Sequence, residues 1–254
     1  MPPTIDLNAD VGEDPTPEGI AREAAMAEHL TSLNIACGGH AGDAASMTRL
    51  VHLARERDLN IGAHPSYPDR ANFGRTELPI SAAATEETVE AQVRTLADIA
   101  RAAGTAITHV KPHGALYHAA RKCEIAEAIA RACAHAAPGA LLVGQFGSPA
   151  LDTWRSMGCA TVAEAFADRA YESDGTLRAR ATPGAVIDET SRALAQSLLI
   201  ARDHAVIAAD GTRLSLHAAT LCLHSDTPGA AELARTIRFG LESHGVRIRP
   251  MTRP

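Results

Sequence analysis

Along this chain, short apolar runs rich in Val, Ile and Leu alternate with longer Ala-rich stretches whose apolar residues recur at helical spacing. Strands and helices that alternate in this way build repeated βα units around a parallel sheet. The pattern predicts seven strands, near Ile5 to Ala9, Ser32 to Ala36, Asn60 to Ala63, Ile107 to Lys111, Ala140 to Gly144, Thr161 to Ala165 and Ala219 to Leu223. The helices expected between and after them are Ala21 to Leu30, Ala45 to Arg57, Glu86 to Ala103, Ile125 to Ala136, Pro149 to Met157, Ser191 to Ala201 and Gly229 to Ser243. Glu86 and Glu87 read as the acidic first turn of the third helix, and Gly104 as its stop. Asp168 to Ala185 carries no clear element and reads as a long ordered loop or a short hairpin. No linker-like or low-complexity tract divides the chain, so residues 1–254 are expected to form one α/β domain, close to the ~250 residues of a single barrel.

Each expected strand but the fifth runs into a dense polar string: DLNADVGE, NIACGGHAGD, IGAHPSYPDRANFGR, HVKPHGALYH, EAFADRAY and LCLHSDTPGA. In parallel barrels the chemistry sits at the carboxyl ends of the strands, so the strings point to one crowded site. Alternate residues of a strand share a face. That parity groups Asp6, Asn8 and Asp10, then His109, Lys111 and His113, then Cys222, His224 and Asp226, and also Glu164 with Asp168. Pro112 argues against reading His109 and His113 as an i, i+4 pair on a helix. A lone Asp before a helix is more often a cap than a catalyst, and Asp43 and Asp226 fit that description. Six loaded strand ends are a different matter, and favour a true active site.

Composition narrows the function. Lys plus Arg total 24 against 30 Asp plus Glu, a formal charge of -6, with one Trp, three Tyr and four Phe. Nucleic-acid binding calls for a basic field and usually stacking aromatics, and both are missing. No run approaches the ~20 apolar residues of a membrane span. The acidic start MPPTIDLNADVGED is unlike a targeting peptide, which predicts a cytoplasmic protein. Five cysteines without a C-x-x-C pair indicate neither a disulfide framework nor a zinc ribbon. The signatures of a P-loop ATPase, a nucleophile-elbow hydrolase and a zincin are absent.

The polar strings, in this order, resemble the LamB/YcsF family, described as the A subunit of prokaryotic 5-oxoprolinase. The likeness runs from Ile5-Asp6-Leu7-Asn8-Ala9-Asp10 through Asn34-Ile35-Ala36-Cys37-Gly38, His40-Ala41-Gly42-Asp43, Gly62-Ala63-His64-Pro65, Asp69-Arg70 and Asn72-Phe73-Gly74-Arg75. It continues through His109-Val110-Lys111-Pro112-His113-Gly114 and Phe166-Ala167-Asp168-Arg169 to Cys222-Leu223-His224. Gly39, His118, Ala170 and Ser225 depart from the family pattern, and none of these departures removes a charged candidate.

The resemblance implies a distorted seven-stranded (β/α) barrel of the glycoside hydrolase/deacetylase type. It also implies ATP-dependent opening of 5-oxo-L-proline to L-glutamate together with partner subunits B and C. Because a lactam is a stabilised amide, ATP would serve to phosphorylate its oxygen before water adds. In that scheme Asp10, with Asp6 or Glu13 as alternates, is the base or water-positioning carboxylate. His64 and His113 polarise or protonate the reacting atoms, and Lys111 meets developing negative charge. Arg70, Arg75 and Arg169 hold the substrate carboxylate. Asn8, His40, Glu164, Asp168, His224 and Asp226 complete the substrate surroundings. Two rivals stand beside it. One is a metal-dependent amide hydrolase or deacetylase using Asp10, His64 and His113 as ligands to a divalent ion; the other is a non-catalytic lactam-binding protein that presents the substrate to its partners.

Overall fold

The computed structural model of the chain describes residues 2–225 and 229–252. Seven parallel strands close into a barrel: β1 (Thr4–Val11), β2 (Ser32–Ala36), β3 (Asn60–His64), β4 (His109–Val110), β5 (Leu141–Gln145), β6 (Thr161–Phe166) and, later in the chain, β9 (Thr220–Leu223). Closure is made by β1 against β9, with Asp6 opposite Thr220 and Asn8 opposite Cys222. All seven predicted strands are present, and β4 is short because Pro112 cannot extend a ladder. Between the closing strands, β7 (Ala205–Ile207) and β8 (Arg213–Ser215) form a separate antiparallel hairpin, and β10 (Arg247–Ile248) pairs parallel with Thr4 and Ile5 at the start of β1.

The helices cover the barrel: α1 (Pro17–Ala27), α2 (Ala44–Glu56), α3 (Ala82–Ala102), α4 (Gly114–Ala119), α5 (Cys123–Ala136), α6 (Pro149–Ser156), α7 (Thr190–Asp203) and α8 (Ala230–Ser243). Asp43 caps α2 in a capping box with Ser46, as its position predicts. Helix α3 starts four residues earlier than the sequence pattern predicts, because the Ser81 side chain accepts the Ala84 N–H; Glu86 and Glu87 therefore fall outside its first turn. Helix α4 is an addition to the predicted set, too short at six residues to carry a periodic signal. The stretch from Asp168 to Ala185 forms a short hairpin over the barrel mouth, with antiparallel bridges pairing Tyr171 with Leu177 and, at its base, Arg169 with the next residue, Val186. Among the described residues no helix is long and apolar enough to cross a membrane.

Barrel interiors are usually filled by Val, Ile and Leu. Here the apolar alternates of β1 (Leu7, Ala9 and Val11) join the hydrophobic core, while Asp6, Asn8 and Asp10 join a hydrogen-bonded network with side chains of the neighbouring strands. Gly62 makes room in that network: a Cβ there would come within 2.0 Å of His109 Nε2. The amino end of the barrel is closed by the chain's own tail. Met251 packs on Leu141, Val143 and Val162, its N–H donates to Asp6 Oδ1, and its carbonyl accepts from Asn60 Nδ2.

Candidate active site

At the opposite, carboxyl end lies a cavity of about 270 Å³, near the lower limit of the ~300–1,000 Å³ usual for small-molecule sites. Its polar floor carries Asp10, Glu13, His64, Lys111 and His113; Arg75, Arg169, Arg178 and Arg180 also line it, with Tyr117 and His224.

Lys111 is the charged centre of the floor. Its ammonium lies 2.9 Å from Asp10 Oδ1 and 2.9 Å from Glu164 Oε1, with Cys222 Sγ at 3.1 Å. Burial opposes its charge, but Asp10, Cys222 and Glu164 more than offset that and hold the amine well above its ordinary value. Burial likewise pushes the Asp10 carboxyl up, and His64 and Lys111 outweigh it, leaving Asp10 well below the usual carboxylate range. Asn34 Nδ2 donates to the same Asp10 oxygen at 2.8 Å. Glu164 is completely buried and accepts from Asn8 Nδ2 and Tyr117 Oη.

Beside this pair sit three imidazoles. His40 stacks on His113 with centroids 3.7 Å apart, and His64 stands edge-on to both. Burial, reinforced by His64, pushes the His40 and His113 rings down to about 3, so both are neutral near pH 7. The loop bearing Phe73, Gly74 and Arg75 is pressed against them: Phe73 O accepts from His113 Nε2, and a Cβ on Gly114 would come within 2.6 Å of Gly74 O. Gly74 and Gly114 both have positive φ, which glycine adopts without strain. Across the cavity Asp168 receives both the backbone N–H of His224 and its ring Nδ1, at 3.0 and 2.7 Å, and fixes the ring. Burial raises the Asp168 carboxyl but His224 outweighs it, so it lies below its ordinary value.

The structure therefore brings Asp10, Glu13, His64, Lys111, His113, Arg75, Arg169 and His224 onto one cavity and keeps other candidates off it. Asp6 is at the far end of β1, bonded to Thr31, Ser32, Thr220 and the tail, where it cannot reach water in the cavity. Asn8 and Glu164 lie beneath the floor, Asp168 behind His224, and His40 behind Glu13 and His113. Arg70 donates to the carbonyls of Gly38 and Gly42 and pins a loop instead of lining the cavity. Asp226 lies outside the described residues. Tyr117, His118, Phe166, Arg178, Arg180 and Ser225 also line the cavity, and sequence reasoning assigns none of them to the site. Tyr117 and His118 end the strand-four string, on the short helix α4, and the two arginines stand on the hairpin, where no periodicity marks them.

Among the described residues, two groups of side chains are close enough to hold a metal ion: Glu13, His40, His64 and His113, and separately Asp10, Cys222 and His224. Of the Asp10, His64 and His113 set expected for a deacetylase-like site, Asp10 Oδ2 lies 3.3 Å from His64 Nε2 while its Oδ1 is held by Lys111. Glu13, just beyond the end of β1, lies 3.4 Å from His113 Nδ1 and 3.9 Å from His64 Nε2.

A parallel barrel with a charged cavity at the carboxyl mouth is the enzyme form of this architecture. A model of the LamB/YcsF family matches residues 5–254, and the chain belongs to that family. The 5-oxoprolinase A subunit from Chloroflexus aggregans is 50% identical over 247 residues, 97% of this chain and 98% of its own. The lactam utilization protein from Thermus thermophilus superposes with a TM-score of 0.91 at 37% identity, covering 98% of this chain and 100% of that one. The Xyl-CE4 domain of a xylanase from the hindgut metagenome of Trinervitermes trinervoides has a TM-score of 0.55 at 11% identity, covering 99% and 88%, and shares the fold alone.

Proposed function

We propose that this chain is the A subunit of an ATP-dependent 5-oxoprolinase and carries out the ring-opening step after the lactam oxygen has been phosphorylated with ATP. The observation that carries the reading is the set of four arginines lining a small cavity whose floor is the Asp10–Lys111 pair. A phosphorylated lactam bears a carboxylate and a phosphate, and guanidinium groups are suited to bidentate contacts with both. The relatives' shared name supports the substrate, and their being named as one subunit of several supports partners that handle the nucleotide.

Water bonds to the ring carbon to give a tetrahedral centre bearing hydroxyl, phosphate and ring nitrogen. Expelling phosphate from that centre would only regenerate the lactam. Productive collapse breaks the ring C–N bond, the nitrogen takes a proton, and γ-glutamyl phosphate results; a second water then releases phosphate and glutamate. The site must therefore favour nitrogen as leaving group. Asp10, too weakly basic to be a strong proton acceptor, is suited to orienting the water, while Lys111 faces the charge that develops. His224, fixed by Asp168, is placed on the cavity as a hydrogen-bonding group for the reacting atoms.

The test is glutamate release from 5-oxoproline and ATP by this chain, by subunits B and C, and by all three. Turnover is expected in the complete mixture and lost in Asp10→Asn. Full turnover by B and C alone, or undiminished activity of Asp10→Asn, would overturn the reading.

A further inference from the structure

A second cavity, of about 510 Å³, lies where the mouth hairpin, helix α7 and the end of β7 meet. Its walls are mostly apolar, with Pro183, Ile187, Leu199 and Ile207 among them, and its charged lining is two arginines, Arg178 and Arg192, with no carboxylate among the described residues. Apolar surface continues past its rim. Of the four large hydrophobic side chains exposed among the described residues, two stand here: Ile207 on the wall, and Val186, which lies between the lining residues Gly184 and Ile187 in the chain. The polar groups are unevenly satisfied. Gln196 directs its amide N–H groups to the carbonyls of Phe166, Ala167 and Arg169. Arg178 Nε, by contrast, is buried without a hydrogen-bond partner, and its Nη1 is 3.7 Å from Glu172 Oε1, beyond hydrogen-bond reach. Arg192 stands in the first turn of α7, where the helix dipole disfavours a cation and favours an anion. Both arginines therefore call for an acceptor from outside the chain.

We infer that this groove is the docking surface for a partner subunit, and that it takes a segment presenting a carboxylate beside apolar side chains. Arginines next to apolar anchors are the composition enriched at protein interfaces. A small anionic ligand could fill the cavity but would leave Val186 in water, whereas a protein segment covers the cavity and its rim together. Charge sets the sign of the partner: two lining arginines on a chain of formal charge -6 make a local basic spot that a carboxylate complements. Arg178 lines both this groove and the cavity at the barrel mouth, so a partner seated here abuts the entrance to the active site. That is where a subunit that phosphorylates the lactam has to deliver it. The inference rests on the subunit reading above and adds to it the surface that is used.

The experiment titrates turnover of 5-oxoproline and ATP against the concentration of purified subunits B and C, with this chain held constant. The concentration giving half-maximal turnover should rise by about 10-fold or more in Ile207→Asp and in Arg192→Glu, the scale on which loss of an interface anchor acts. Turnover at saturating B and C should match that of the unaltered chain, because neither residue lines the active-site cavity. Phe239→Asp, an equally drastic change at an exposed position on α8, should leave the half-maximal concentration where it was. Arg192→Glu replaces a cation by an anion where the helix dipole favours one, so weaker association in that variant does not reflect a damaged fold; circular dichroism checks the others. Normal turnover with unshifted half-maximal concentrations in both groove variants would overturn this inference alone and leave the subunit reading standing. A shift as large in Phe239→Asp would also overturn it, since the loss would not belong to the groove. A dimer of the unaltered chain, seen by sedimentation velocity and dissociated by Ile207→Asp, would give the face to a second copy and overturn it as well. Absence of turnover in the complete unaltered mixture at every concentration would remove the subunit reading and this inference with it.

Discussion

Replacing Lys111 by Met tests the central electrostatic claim. The ammonium is 3% exposed and lies 2.9 Å from each of two carboxylates. At an effective dielectric constant of 20, each contact gives roughly 6 kcal/mol of gross attraction, most of it offset by desolvation of the three groups. What the variant measures is the cost of stranding the carboxylates. Asp10 keeps His64 at 3.3 Å and some contact with solvent, but Glu164 is completely buried and is left with Asn8 and Tyr117. Breaking a buried pair from one side costs about 3–5 kcal/mol. For a chain of this size that is a fall in Tm of roughly 6–20 °C, at about 2–4 °C per kcal/mol. Urea unfolding followed by circular dichroism and by the fluorescence of the single buried tryptophan, Trp154, provides the assay. The double variant Lys111→Met with Glu164→Gln should recover about half of the loss, because it removes the charge that was stranded. A single variant within about 1 kcal/mol of the unaltered chain, or a double variant whose loss is the simple sum of the two singles, would refute the argument.

Asp6→Asn should separate stability from activity: it disturbs the bonds to Thr31, Ser32, Thr220 and the tail at a cost of about 1–3 kcal/mol. Activity of the assembled subunits at a temperature where the variant is folded should be unchanged, and a large loss of kcat there would return Asp6 to the chemistry. His109, pushed down to about 3 by burial, with Lys111 and His64 adding to the shift, stays neutral in the fold while the unfolded chain protonates near 6.5. Its contribution to stability is therefore complete above about pH 6.5 and is lost as pH falls toward 3, by up to about 1.4 kcal/mol per pH unit. His109→Gln should make the acid limb of a plot of unfolding free energy against pH correspondingly shallower, and an unchanged slope would contradict the assignment.

The barrel is legible in the sequence because its signals are local. Short apolar runs mark each barrel strand, and Ala-rich helical periodicity marks seven of the eight helices among the described residues. The β7–β8 hairpin escapes although Asp210-Gly211 supplies a hairpin turn signal, since strands of three residues carry too little alternation to register. Strand parity correctly puts Asp6, Asn8 and Asp10 on one face, but parity carries no information on height along the barrel axis. Height is set by the stagger between strands, which puts Asp6 opposite Thr220 and Asp10 opposite Asn34. For that reason three adjacent members of one face have three different surroundings: the plugged base, the interior, and the cavity floor.

A polar barrel interior is tolerable only if its members satisfy one another, and the bonding here is directional. Asn34 donates from Nδ2 to Asn8 Oδ1 and Asp10 Oδ1, so its Oδ1 must accept, and His109 Nε2 lies 2.8 Å from it. His109 is thereby fixed as the Nε2–H form, with Nδ1 left to accept from Thr108 Oγ1 at 2.9 Å. Asn8 donates in turn to Glu164 and to Thr220, whose hydroxyl passes its proton toward Asp6. Each amide orientation thus follows from the next, from the tail-bound carboxylate at the base up to the Lys111 pair at the floor. Such a column resists rotation of any one member, since a flipped Asn34 would oppose an N–H to His109 and a carbonyl to two acceptors. The rigidity matters at its upper end. Asp10 Oδ1 is held by Asn34 and Lys111 together, which leaves Oδ2 as the oxygen directed toward His64 and the cavity, the position from which it can orient water.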